Sequence, residues 1–108
     1  MNKKTIAAII AGAEKWERNA LVSDPDDAEI YSDSCALCKM FKACDGCPVQ
    51  EKTGVDGCID TPWERADAAL DEWAWNTAQE RRNARARFRR ASIAEAKFLR
   101  SLIPAEAS

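Results

Sequence analysis

The chain contains the run Cys35-Ala-Leu-Cys38, then Cys44-Asp-Gly-Cys47-Pro48, with one further cysteine at position 58. The chain has these five cysteines and no histidine. The two residues between paired cysteines form a tight turn that lets both sulfurs reach one ion, and two such pairs complete tetrahedral coordination. The pattern therefore predicts a metal site in residues 34–60, with Zn²⁺ as the ion.

The ligand set stays open, because one zinc ion needs four thiolates and the segment offers five: Cys35, Cys38, Cys44, Cys47 and Cys58. Either Cys44 and Cys47 form the second pair and Cys58 is spare, or Cys58 ligates and Cys44 is spare. The second set is considered because the gap between the pairs is short, and because Cys58 precedes a predicted helix N-terminus, where the helix dipole stabilises a thiolate.

An iron–sulfur cluster is the alternative cofactor. Proline often follows the last cysteine ligand of such a cluster, as Pro48 follows Cys47. The spacing is not that of a ferredoxin, however, and charged side chains surround the cysteines, which favours zinc. Three of the four glycines, Gly46, Gly54 and Gly57, also fall in this segment, as expected where the backbone must turn through positive φ around an ion.

The residues on either side of the cysteine segment predict helices. In residues 3–22 apolar side chains recur at helical spacing, at Ile6, Ile9, Ile10, Ala13, Trp16 and Ala20. Thr61-Pro62-Trp63-Glu64 is typical of a helix start, with threonine as cap and glutamate three residues on. Residues 61–103 then contain either one long helix or two helices jointed between 76 and 83, and residues 104–108 form a tail.

We therefore expect one mostly α domain over residues 1–108: an N-terminal helix, a central zinc knuckle-like loop and a C-terminal helical region. A chain of this length has a small core, which a bound metal would help to stabilise. The apolar run in residues 6–13 is too short for a membrane span, and its helical pattern continues past a signal-peptide length. The expected compartment is the cytoplasm, where reducing conditions favour metal-bound cysteines over disulfides.

The cysteine segment resembles a motif of small bacteriophage and prophage proteins. Ser34-Cys-Ala-Leu-Cys38, Cys44-Asp-Gly-Cys-Pro48 and Gly57-Cys-Ile-Asp-Thr-Pro-Trp63 match its pattern of CxLC, CxxCP and CxxTP followed by an aromatic residue. The resemblance covers about a quarter of the chain. It implies a phage origin and a zinc-binding core, and it implies no activity because the family is largely uncharacterised.

Charge is distributed unevenly along the chain. Residues 1–80 carry a net charge of −8 and residues 81–108 a net charge of +6. The basic part contains Arg81, Arg82, Arg85 and Arg89, of which the last three share one helical face. These arginines are candidates for binding nucleic-acid phosphates or an acidic partner protein, or else they pair with the acidic half of the chain.

The sequence favours a binding protein over an enzyme. Histidine, the commonest general base, is absent, and an all-cysteine metal site is closed to substrate. Trp75 lies off the apolar stripe that contains Trp73, which predicts an exposed indole suited to a protein interface. The predicted function is docking on a host or phage protein, including as an inhibitor; nucleic-acid association and iron–sulfur redox chemistry are the alternatives.

Overall fold

The computed structural model describes residues 1–31, 36–41, 46–54 and 61–105. Its elements are α1 (Lys3–Asn19), a 3-10 turn (Pro25–Asp27), α2 (Ala36–Met40), α3 (Pro48–Thr53), α4 (Trp63–Trp75) and α5 (Ala78–Ser101). No β-strand occurs within these ranges, so the mostly α class is confirmed. Much of the predicted zinc-binding loop, at 34–35, 42–45 and 55–60, lies outside the described residues, as does the end of the predicted tail.

α1 begins at an asparagine cap and buries one apolar stripe. The Asn2 side chain accepts a hydrogen bond from the Thr5 backbone N–H at 2.8 Å, which satisfies a donor that the helix start leaves open. Three residues of the predicted stripe are buried, namely Ile9, Ala13 and Trp16. None of the helices in the described ranges is both long and apolar enough to cross a membrane.

α1 ends at Asn19 rather than at residue 22, because its last turn tightens into i→i+3 bonds from the Leu21 N–H to the Arg18 carbonyl oxygen and from the Val22 N–H to the Asn19 carbonyl oxygen. The Asn19 side chain binds the backbone of the segment that follows. Its amide nitrogen donates to the Glu29 carbonyl oxygen at 2.9 Å, and the Glu29 N–H donates back to its amide oxygen at 3.0 Å. Asn19 is buried. This paired contact returns the chain to the end of α1 just before the cysteine segment.

The C-terminal region is two helices, and the joint lies at Asn76 and Thr77. Both residues are extended, with ψ of 175° and 169°, so the helix is broken sharply between Trp75 and Ala78. A two-residue connection folds two helices back on each other. Trp73 accordingly packs against Phe88, with ring centroids 5.8 Å apart, and α4 and α5 run antiparallel.

α5 is the central helix, since it contacts both α1 and α4. A Cβ atom added to Gly12 would lie 3.3 Å from Leu99 Cδ1, so α1 and α5 approach closely at this point. Ion pairs join Arg87 to Glu72 and Arg100 to Glu17 across the two interfaces. Each pair is about half exposed, so each contributes at most about 1 kcal/mol, and the buried core supplies most of the packing energy.

Candidate functional site

Two of the five candidate metal ligands belong to the described residues. Cys38 lies in α2 and is half-buried, and Cys47 directly precedes α3 and is 6% exposed. Cys35, Cys44 and Cys58 lie outside the described residues. The structure therefore leaves both predicted ligand sets open.

The backbone beside Cys47 has the turn conformation that the glycines predict. Gly46 has a φ of +76° and Gly54 a φ of +78°, a region that side-chain-bearing residues rarely adopt. Gly46 immediately precedes Cys47, and its N–H donates to the Gln50 side-chain oxygen at 3.3 Å. The turn thus places Cys47 at the start of α3. Gly57 lies outside the described ranges.

The described residues fit a sulfur-ligated metal in two respects: they supply thiolates, and the helices beside those thiolates are held in the core. Cys38 and Cys47 would each supply a thiolate, the ligand that Zn²⁺ takes in structural sites. Their neighbours Leu37 and Val49 are 2% and 4% exposed, so α2 and α3 are fixed in the core beside each cysteine. No three Cys, Asp or Glu side chains converge within the described ranges, which omit most of the candidate ligands. Zinc remains a prediction.

The two ends of the cysteine segment meet. The Trp63 indole N–H donates to the Ile30 carbonyl oxygen at 2.6 Å, which joins residues on opposite sides of the segment. Ile30 is buried. Any ligand bound within residues 31–62 is therefore bound in a loop that the helices already close, which lowers the chain entropy lost on binding.

A second candidate site is a groove between the end of α1 and the first half of α5. Its volume is about 500 Å³, and its floor contains Trp73 and Phe88. Its lining includes four cationic side chains, those of Arg82, Arg85, Arg89 and Arg90. The helical spacing predicted one face for the first three of these arginines, and the structure brings them to one groove. Arg81 and Ser23 line a smaller adjoining concavity with Trp73.

The arginines of α5 are engaged to different degrees. Arg87 pairs with Glu72, a carboxylate of the acidic half of the chain. Arg81 donates through Nε to the Trp73 carbonyl oxygen at 3.0 Å, and the Arg85 guanidinium lies 5.8 Å from the Trp73 ring centroid. In the part of the chain described, no carboxylate pairs with Arg82, Arg85, Arg89 or Arg90.

Trp75 is exposed, as its position off the apolar stripe predicts. Its exposed fraction is 86%, whereas Trp16 and Trp73 are each 3% exposed. Trp75 is the last residue of α4, directly before the extended joint. It thus projects at a corner of the helical hairpin.

A buried polar cluster joins α5 to the start of α4, and sequence reasoning did not identify it. Glu95 is 1% exposed, and its carboxylate accepts a hydrogen bond from the Thr61 hydroxyl at 3.0 Å. Burial raises the pKa of Glu95, against the smaller opposing effects of its hydrogen bonds with Thr61 and the Trp63 backbone and of the charges on Lys15 and Arg65. The sequence did contain a signal for this cluster, because Glu95 is a charged residue on the otherwise apolar stripe of α5.

No protein-family model matches the chain, and neither a curated protein nor a solved structure matches it.

Proposed function

We propose that this protein is a small zinc-stabilised helical binding module that docks on another protein. The observation that carries the proposal is the 86% exposure of Trp75 at the end of α4. An indole this exposed buries little surface in the core, whereas tryptophan is among the residues that contribute most to protein interfaces. The module binds and does not catalyse.

The zinc part of the proposal is supported by the two Cys-x-x-Cys pairs and by the anchorage of α2 and α3. The resemblance to phage proteins supports a phage origin and the cytoplasm of a host cell as the place of action. Inhibition of a host protein is one form that such docking takes. An iron–sulfur cluster in the same thiolates would instead make the protein a redox protein.

The test is capture of a partner by the purified protein and by its Trp75→Ala variant, followed by a binding measurement with the purified partner. Because a tryptophan at the centre of an interface supplies about 2 kcal/mol or more, Trp75→Ala should weaken binding by about thirtyfold or more. Tyr31→Ala is the matched control, since Tyr31 is also an exposed aromatic residue, at 64%. Equal binding by wild type and Trp75→Ala would refute Trp75 docking.

Nucleic-acid association is the second candidate function. It is favoured by the groove arginines, which lie without carboxylate partners among the residues described. Arg81, Arg82, Arg85 and Arg89 would contact phosphates, and binding would weaken steeply as salt rises. A labelled oligonucleotide titrated at increasing salt tests this candidate, and salt-independent or absent binding would exclude it.

A further inference from the structure

The basic groove continues into an apolar concavity along α5. This apolar concavity has a volume of about 280 Å³. It shares Ala20, Leu21 and Arg89 with the basic groove, which is the groove lined by Arg82, Arg85, Arg89 and Arg90. Leu21 is 74% exposed and Ile93 is 40% exposed, so two large apolar side chains face water here. We call the two concavities together the α1–α5 strip.

The strip carries a surplus of positive charge. Its cations are Arg82, Arg85, Arg89, Arg90, Lys97 and Arg100, whereas Glu17 is the carboxylate that lines it in the described structure. Glu17 is already paired with Arg100. The other cations pair with no carboxylate within the described ranges, although the chain as a whole is slightly negative.

We propose that the α1–α5 strip binds an acidic amphipathic helical segment of the partner protein. Apolar side chains of that segment would cover Leu21 and Ile93, while its carboxylates would meet the arginines. The inference rests on the proposed docking function and names the chemistry of the partner. It concerns a surface distinct from Trp75, which lines neither concavity.

The shape of the strip favours a peptide over a nucleic acid. The aromatic floor of the basic groove is closed to bases, since Trp73 is 3% and Phe88 1% exposed and neither can serve as a stacking surface. Arg82 and Arg90 lie about 12 Å apart along α5. A second helix that carries carboxylates at successive intervals of three and four residues presents them over the same length. A phosphate backbone has no apolar groups that could cover the apolar half of the strip.

The test uses a fluorescent acidic peptide of about 15 residues, long enough to form helix when bound, with leucines on one face and glutamates elsewhere. Three labelled controls accompany it: the same composition with the leucines scattered, a lysine version, and a single-stranded oligonucleotide. The amphipathic acidic peptide should bind about tenfold more tightly than the scattered one. Its binding should also weaken with salt.

Substitutions in the strip test whether peptide binding depends on its arginines and on Leu21. Arg85→Glu and Arg89→Glu together, and Leu21→Ser alone, should each weaken peptide binding by about tenfold. Arg18→Glu is the matched control, because Arg18 is exposed on α1 and lines neither concavity. It should change binding by less than about threefold. Unaltered helical circular dichroism confirms that each variant is folded.

Three outcomes would overturn the inference: equal binding of the amphipathic and scattered peptides, binding insensitive to the strip variants, or strip-dependent binding of the oligonucleotide alone. Partner capture that depends on Trp75 and survives Arg85→Glu with Arg89→Glu would refute the strip while leaving the proposed docking function intact. If Trp75→Ala captures the partner as well as wild type does, while the strip variants still weaken peptide binding, Trp75 docking is refuted and the strip is supported.

Discussion

The Thr61 hydroxyl donates a hydrogen bond to Glu95 Oε2 across 3.0 Å of the protein interior. Thr61 Oγ1 in turn accepts the Trp63 backbone N–H at 3.2 Å, so a buried carboxylate on α5 supports the start of α4. Thr61 is also the first described residue after the cysteine segment. The bond therefore ties the exit of that segment to the central helix.

The raised pKa of Glu95 predicts a definite pH dependence of stability. The folded protein holds the Glu95 proton to higher pH than the unfolded chain, in which the carboxyl titrates near its ordinary value of 4.5. The stabilisation is therefore complete below that value and is lost as pH rises through the raised pKa. Glu95→Gln should remove this part of the pH dependence of the free energy of unfolding, as measured by denaturant titration.

The control is the difference between wild type and Glu95→Gln at each pH. Asp67, whose pKa is raised by burial and by Asp71, titrates in both proteins and cancels in that difference. Relative to Glu95→Gln, wild type should lose stability as pH rises above about 4.5. A difference that stays constant with pH would show that Glu95 does not titrate as described.

Removal of the Ser92 hydroxyl should stabilise the protein. Ser92 is fully buried, and its Oγ has no hydrogen-bond partner among the described residues. Ser92→Ala abolishes that unsatisfied group and introduces a better helix former, so we expect a gain of about 1 kcal/mol. Thr61→Val is the contrasting variant: it removes a bonded hydroxyl and should cost about 1–2 kcal/mol. Changes of the same sign would contradict the hydrogen-bond assignment.

Trp63→Phe tests the closure of the cysteine segment. The substitution keeps an aromatic ring but removes the N–H that binds the Ile30 carbonyl oxygen, which should cost about 1 kcal/mol of unfolding free energy. Metal affinity should fall as well, because the loop must then be closed on binding. Trp75→Phe is the matched control and should leave both quantities unchanged, since Trp75 is 86% exposed.

Metal analysis tests the cysteine prediction. Elemental mass spectrometry should find about one zinc per chain, and four of the five single Cys→Ser variants should lose it. Cys44→Ser and Cys58→Ser decide between the two ligand sets, since the spare cysteine is one of this pair. Iron with sulfide would refute zinc, and an absence of metal in wild type would refute the site.

The sequence predicted those features that depend on local periodicity. Helical spacing located the centre of the buried face of α1 and the exposure of Trp75, and glycine placement anticipated the positive φ at Gly46 and Gly54. Helical spacing also predicted one face for Arg82, Arg85 and Arg89, which line one groove in the structure. Such features follow from the chain within a few turns of helix.

Features that depend on distant partners could not be predicted in this way. The hydrogen bond of the buried Glu95 comes from Thr61, which lies 34 residues earlier, and the Asn19 side chain is bonded where the chain returns at Glu29. The apolar half of the strip likewise arises where Leu21, beyond the end of α1, and Ile93 of α5 line one concavity. Local sequence patterns do not predict these contacts, because the contacts form only when distant segments pack together.

The pairing of α1 with α5 has a consequence for synthesis. The ribosome completes α1 at Asn19 but begins α5 about 60 residues later, a delay of several seconds at about 5–20 residues per second. Throughout that interval the stripe of Ile9, Ala13 and Trp16 lacks the α5 surface that buries part of it in the finished fold. The final packing of the α1 stripe therefore waits until α5 has been synthesised.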